Sequence, residues 1–130
     1  DLVLADSAYS ESTFGKIIDQ NTPKIIKASE ELTNKIDTTA QNLNLSIKKG
    51  MIYTSDIFDV YFDISYILNG KDLLASEMES YGLFFIANYL KKEASTILTV
   101  VDSKFEDKII SPEDREKSLN DMIKLALESI

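Results

Sequence analysis

The run Ile97-Leu98-Thr99-Val100-Val101 narrows the fold of this chain more than any other feature. Every residue in it is apolar or β-branched, so as a strand it has no polar face to offer water. Such strands are normally buried on both faces, as in a parallel sheet. Leu2-Val3-Leu4-Ala5 reads as a second strand, and Ile47 to Tyr53, interrupted by Lys48-Lys49-Gly50, as a weaker third. Helical spacing fills the gaps. Leu32, Ile36, Ala40 and Leu43 follow Ser29, a suitable N-cap, and predict an amphipathic helix over 29–44. A short helix over 61–68 leads to an Asn69-Gly70 turn and then to the apolar run Leu73-Leu74-Ala75, read as a strand. Leu83, Ile86, Ala87 and Leu90 form one stripe of a helix over 79–92. The last helix has the clearest start, with Ser111 as N-cap, Pro112 at the first helical position and Glu113 and Asp114 in the first turn; its stripe is Leu119, Met122, Ile123 and Ala126. Strands alternating with helices predict an α/β fold, with a mainly parallel or mixed sheet flanked by helices. In such folds ligands sit at the carboxyl ends of the strands.

Only 4 Gly and 2 Pro occur, with no linker-like or repeated segment, so residues 1–130 are expected to form a single domain. The 22 acidic and 14 basic side chains leave a net charge of −8, which disfavours nucleic acid and anionic membrane surfaces as partners. No apolar run approaches the roughly 20 residues of a membrane helix, and no signal-like segment opens the chain, so a cytoplasmic location is expected. Cysteine and histidine are absent, which excludes disulfides, thiolate and imidazole chemistry and with them most zinc sites, so no metal site is expected. Chemistry must come from carboxylates, Lys, Arg, Tyr or hydroxyls. A strand starting directly behind Asp1 suggests a processed, truncated or split chain.

Two carboxylate positions fall where the strand-end rule places ligands. Glu77-Met78-Glu79 closes the Leu73 strand and opens the next helix, and Asp102 follows the Ile97 strand directly. A carboxylate at such a junction can accept two hydrogen bonds from a vicinal diol, the arrangement a ribose offers. Desolvation of Asp102 beside Val100-Val101 and near Phe105 would favour its protonated form and let it donate a proton near neutral pH. Each has a plainer explanation: Glu79 complements a helix dipole and Asp102 suits a turn. Arg115 is the only arginine beside thirteen lysines, which points to a planar charged fork holding a carboxylate or phosphate; a surface pair with Glu113 or Asp114 is its alternative. Phe58 suits stacking on a base, or the core.

Together these residues resemble the bacterial, hexameric type of purine nucleoside phosphorylase, over essentially the whole chain. The stretch from Leu119 to Ser129 looks like that family's C-terminal helix, Glu77-Met78-Glu79 matches its ribose-binding triplet, and the spacing to Asp102 and Arg115 needs no gap. The resemblance implies the C-terminal portion of a phosphorylase-type three-layer fold. It also implies a missing N-terminal half that carries the phosphate site, so that this chain alone does not complete the reaction. By the same resemblance, Glu79 binds the ribose hydroxyls, Glu77 is a substrate-binding residue of the same triplet, and Met78 packs against the sugar. Phe58 and Val101 lie by the base, Asp102 protonates purine N7, and Arg115 assists that transfer. The substrates would be a purine nucleoside and inorganic phosphate, with no other cofactor, and the assembly a homo-hexamer.

Val101 stands where the family usually has Ser, Ser103 where it has His, and Asp59 where an aromatic is expected in a loop one residue shorter after Phe58. These departures bear on base selectivity. Uridine phosphorylases share a Glu-Met-Glu-Ser string like Glu77 to Ser80 but lack the proton-donating Asp. A hydrolytic methylthioadenosine or adenosylhomocysteine nucleosidase shares the triplet and the Asp and is the main alternative, and a non-catalytic assembly domain is the other.

Overall fold

The computed structural model describes residues 1–20, 22–103 and 110–130. In chain order the described elements are β1 (Leu2–Tyr9), α1 (Gly15–Asp19), β2 (Ile25–Lys27), α2 (Glu30–Asn42) and β3 (Ile47–Thr54). A short 3-10 turn (Asp59–Tyr61) leads to α3 (Ser65–Leu68), β4 (Ser76–Glu77), α4 (Ser80–Tyr89), β5 (Thr96–Thr99) and α5 (Pro112–Glu128). No helix among the described residues is long and apolar enough to cross a membrane.

Strand β1 is the centre of a five-stranded mixed sheet. Strand β3 runs parallel to it along its whole length, from Leu2 opposite Ile47 to Tyr9 opposite Tyr53. The other flank of β1 is shared: β5 lies antiparallel to Leu2–Ala5, and β2 antiparallel to Ser7–Tyr9. Asp6 between them is the extra residue of a bulge opposite Gly50 and Met51, and its carbonyl accepts the Ala28 amide at 2.9 Å. The bulge also resets which side chains point where. Val3 and Ala5 face one layer, and the inserted residue lets the even-numbered Ala8 join them.

That layer is α4, whose Tyr81, Phe84, Phe85 and Ala87 pack on Val3, Ala5, Ala8 and Ile52. Leu2 and Leu4 point to the opposite side, where Ile36 and Ala40 of α2 meet Leu125 of α5. Helices thus cover both faces of the sheet, as the sequence predicts, and α5 begins with the predicted cap: the Ser111 hydroxyl accepts the Asp114 amide at 3.1 Å.

Several expectations are corrected. The Ile97 strand is not a doubly buried parallel one. It spans Thr96–Thr99, runs antiparallel to β1, and its side chains are half-buried, because among the described strands only β1 pairs with it. Lys48-Lys49-Gly50 does not interrupt β3. The two lysines reach Asp1 and Asp37 at the surface, and Gly50 makes room for Leu74, whose Cδ1 would lie 2.9 Å from an added Cβ. The strand predicted at Leu73-Leu74-Ala75 is displaced to Ser76–Glu77, although Leu74 and Ala75 already bond to Met51 and Tyr53 of β3. Ser29 occupies the N-cap of α2, yet its hydroxyl accepts the Ala94 amide at 2.7 Å instead of capping.

Of the three predicted helix stripes, that of α2 faces the core as expected and those of α4 and α5 are turned. α4 is apolar nearly all round, so spacing alone does not choose a face. Its aromatic residues take the interior, assisted by Phe14 stacked edge-on against Tyr81 and Phe85, and leave Leu83 and Leu90 outside. In α5 the slot beneath Leu2 and Leu4 takes Leu125, leaving Leu119, Ile123 and Leu127 exposed.

Leu125 is fully buried whereas Leu127 is 66% exposed. In urea titrations of this chain, Leu125→Ala is expected to cost about 3 kcal/mol and Leu127→Ala less than about 0.5 kcal/mol. Equal costs would contradict the observed orientation of α5.

Tyr9, packed with Tyr53 and Ile64, gives a pH prediction. Burial first, then its hydrogen bond to Glu11 and the Glu11 charge, push the Tyr9 phenol up to about 12. The folded state therefore favours the neutral phenol. Its contribution is complete below the ordinary value of 10.0 and is lost as pH rises towards about 12. Stability should fall more steeply over that window in the native chain than in Tyr9→Phe; parallel curves would contradict it.

Candidate functional site

The carboxyl ends of the parallel strands β3 and β4 come together, since Tyr53 pairs with Ser76 and Thr54 with Glu77. Phe58 follows the end of β3, and Glu77-Met78-Glu79 starts at the last residue of β4, so the structure places these candidates at one end of the sheet. Phe58 is 59% exposed and meets Tyr61 edge-on at 5.8 Å, which removes the core explanation for it. Asp59 is buried and accepts the Ser76 hydroxyl at 3.2 Å, tying the loop after Phe58 to the start of β4.

The two glutamates of the triplet differ. Glu77 is turned inward. One of its oxygens accepts the Thr54 hydroxyl, and the other accepts the Glu79 amide at 2.8 Å, the Ser80 amide at 2.7 Å and the Ser80 hydroxyl at 2.9 Å. It therefore supplies the capping of α4 that sequence reasoning assigned as the plain explanation for Glu79. Glu79 occupies the N-cap position but makes no side-chain cap bond. It is exposed, and its carboxylate accepts the Met78 amide at 3.2 Å. Met78 beside it is also exposed.

Thr54, Ser80 and Thr96 belong to this site and were missed by the sequence reading. The Thr54 hydroxyl oxygen accepts the Tyr81 amide at 3.0 Å, and the Ser80 and Thr96 hydroxyls lie 3.1 Å apart. A hydroxyl residue at the last position of a strand and another directly after the triplet were the available signals.

Val101, Asp102 and Arg115 are placed differently. Because β5 is antiparallel, Thr99 lies opposite Leu2, and the Val100 amide bonds to the Asp1 carbonyl at 2.9 Å. Asp102 thus follows its strand at the amino-terminal end of β1, whereas the triplet leaves the sheet at the carboxyl-terminal end. Both positions are at strand ends, but the expectation of one shared sheet end held only for a parallel β5. Asp102 is exposed, with one oxygen accepting the Ser103 amide at 2.8 Å, so the desolvation expected for it is not provided; Phe105 lies outside the described residues. Val101 is 45% exposed. Arg115 is exposed in the first turn of α5, and among the described residues it forms no ion pair with Glu113 or Asp114.

At the end of β3 a cavity of about 350 Å³ is lined by Tyr53, Phe62 and Tyr66 together with Glu11, Asp56 and Asp63; Phe58 is not part of its lining. A separate groove of about 500 Å³ runs between α2, β5 and α5, lined mainly by Leu32, Ile97, Met122, Ile123, Leu127 and Ile130.

No family model matches the chain. It is 37% identical over 131 residues to the purine nucleoside phosphorylase DeoD-type of Mycoplasma genitalium, covering 98% of this chain and 55% of that protein. Proteins of the same description from Mycoplasma pneumoniae and Brevibacillus brevis are 34% and 35% identical, over 98% and 99% of this chain and 55% of theirs. The chain thus spans about half the length of the curated relatives it matches. The crystal structure of Campylobacter jejuni 5'-methylthioadenosine/S-adenosyl homocysteine nucleosidase superposes on the whole chain and on 62% of its own, with a TM-score of 0.75 at 21% identity, which shows a shared fold. Along its whole length the chain is similar in sequence to DeoD-type purine nucleoside phosphorylases, and it spans about half of their length.

Proposed function

We propose that the protein carrying this chain is a purine nucleoside phosphorylase, which converts a purine ribo- or deoxyribonucleoside and inorganic phosphate to free base and pentose 1-phosphate. This chain would supply the ribose- and base-binding side. The observation that carries the reading is the division of labour within the triplet: Glu77 caps α4, and Glu79 is left exposed at a strand-to-helix junction. A carboxylate so placed can accept hydrogen bonds from both hydroxyls of a ribose diol.

Cleavage of the glycosidic bond leaves negative charge on the purine and positive charge on an oxocarbenium-like sugar. Glu79 holds the sugar with Met78 against it, and its charge favours the cationic ring. Phe58, exposed at the same sheet end, stacks on the base. By sequence relationship, Asp102 would donate a proton to purine N7, with Val101 beside the base and Arg115 stabilising the carboxylate left behind; in this chain they follow β5 at the opposite sheet end from Glu79 and Phe58, so these roles need them brought to the same base in the assembled protein. Sequence relationship alone supports the roles of Asp102 and Arg115, while geometry also supports those of Glu79 and Phe58. The reaction uses phosphate as co-substrate and no other cofactor.

The phosphate site lies in the proposed partner of this chain, the remaining half of the same domain. Support comes from the half-length match to the relatives, from the flank of β5 that no described strand pairs, and from the apolar groove along α5. A homo-hexamer in the cytoplasm completes the proposal, following the relatives' type.

Incubating the intact protein with inosine or adenosine should release base only when phosphate is present. Release without phosphate would favour the nucleosidase reading and contradict this one. Asp102→Asn should lower turnover by about 100-fold or more with an unchanged melting temperature, because Asp102 is exposed. Parallel losses of activity and stability would contradict the proton-donor role.

A further inference from the structure

We propose that Glu77 is a positioning residue for Glu79 and not itself a ligand of the sugar, an inference that rests on the reading of Glu79 as the diol-binding carboxylate. A carboxylate has about four lone-pair sites. Oε2 of Glu77 receives the Glu79 and Ser80 amides and the Ser80 hydroxyl, and Oε1 receives the Thr54 hydroxyl, so both oxygens are engaged within the protein and Oε2 is saturated.

Ser80 has one hydroxyl hydrogen, with the Glu77 carboxylate at 2.9 Å and the Thr96 hydroxyl oxygen at 3.1 Å both within its reach as acceptors. Thr54 gives its hydrogen to Glu77, and its oxygen is free to accept the Tyr81 amide. The Thr54 and Ser80 hydroxyls and the Glu79 and Ser80 amides thus converge on one carboxylate, and the Tyr81–Thr54 and Ser80–Thr96 contacts extend it into a network joining the end of β3, β4, the first turn of α4 and the start of β5. Glu79 is held by its own amide within that network while its side chain stays outside.

Without Glu77, the amides at the start of α4 would have lost their acceptor. Glu79 already occupies the N-cap position and is the nearest carboxylate able to turn back onto them. Capping and sugar binding would then compete for the same side chain. Glu77 removes that competition, which explains why two glutamates flank Met78 where one would suffice to bind a diol.

The test compares Glu77→Ala, Glu77→Gln, Glu79→Gln and the double variant Glu77→Ala/Glu79→Gln in the intact protein. Glu77→Ala should raise KM for a purine ribonucleoside about tenfold, and Glu77→Gln, which keeps one acceptor oxygen, should recover part of that loss. In the Glu79→Gln background, Glu77→Ala should add less than about twofold, since a residue acting through Glu79 has nothing left to position. Independent losses that multiply in the double variant would show that Glu77 contacts the sugar directly and would overturn the proposal. Amide hydrogen exchange gives a readout that needs no turnover: Glu77→Ala should speed exchange at Glu79 and Ser80, and unchanged exchange there would overturn the positioning role by itself. Absence of nucleoside turnover in the unmodified protein would instead sink the phosphorylase reading, with the exchange result still deciding whether Glu77 holds the start of α4.

Discussion

Leu2 to Ala5 are buried on both faces at once, and the rest of the fold is arranged around that demand. A doubly buried strand must be flanked on both edges to satisfy its backbone and covered on both faces to bury its side chains. β3 supplies one edge, and β5 and β2 divide the other at the Asp6 bulge. α4 covers Val3 and Ala5, and α2 with α5 covers Leu2 and Leu4. The bulge makes the division possible: it ends pairing with β5, hands the edge to β2 and turns Ala8 to the α4 side, so one strand serves two partners without losing its core face.

The site depends on the same arrangement. Parallel pairing of β3 with β1 and of β4 with β3 brings Thr54 and Glu77 level, which lets Thr54 bond to Glu77 and lets both receive the first amides of α4. Ser80 carries the network across to Thr96 at the head of β5. A rigid junction of this kind is suited to presenting a carboxylate in one orientation, because the competing use of that carboxylate as a helix cap has been taken by a neighbour.

Much of the layering was legible in the sequence because it rests on periodicity. The Leu32, Ile36, Ala40 and Leu43 spacing located α2, and Ser111-Pro112 located the start of α5 with its cap. Directions and faces were less legible. Nothing in Ile97 to Val101 distinguishes a strand buried in a parallel sheet from one pairing antiparallel at the edge, since both favour β-branched residues. In α4, apolar residues on every side left the choice of face to tertiary packing, where Tyr81, Phe84 and Phe85 bury more area than Leu83 or Leu90. β2 is only three residues long and gave no periodic signal at all. Within the site, the triplet was visible as a string of residues, but which glutamate faces inward was decided by Thr54, 23 residues away in the chain.

The proposed role of this chain, the sugar-binding side of a purine nucleoside phosphorylase, rests on Glu79 as the group that reads the ribose hydroxyls. The most direct measurement is calorimetric affinity of the intact protein for a purine ribonucleoside and for its 2′,3′-dideoxy counterpart. The ribonucleoside should bind at least about tenfold more tightly, as expected for hydrogen bonds to a charged acceptor. Equal affinities would contradict the central claim.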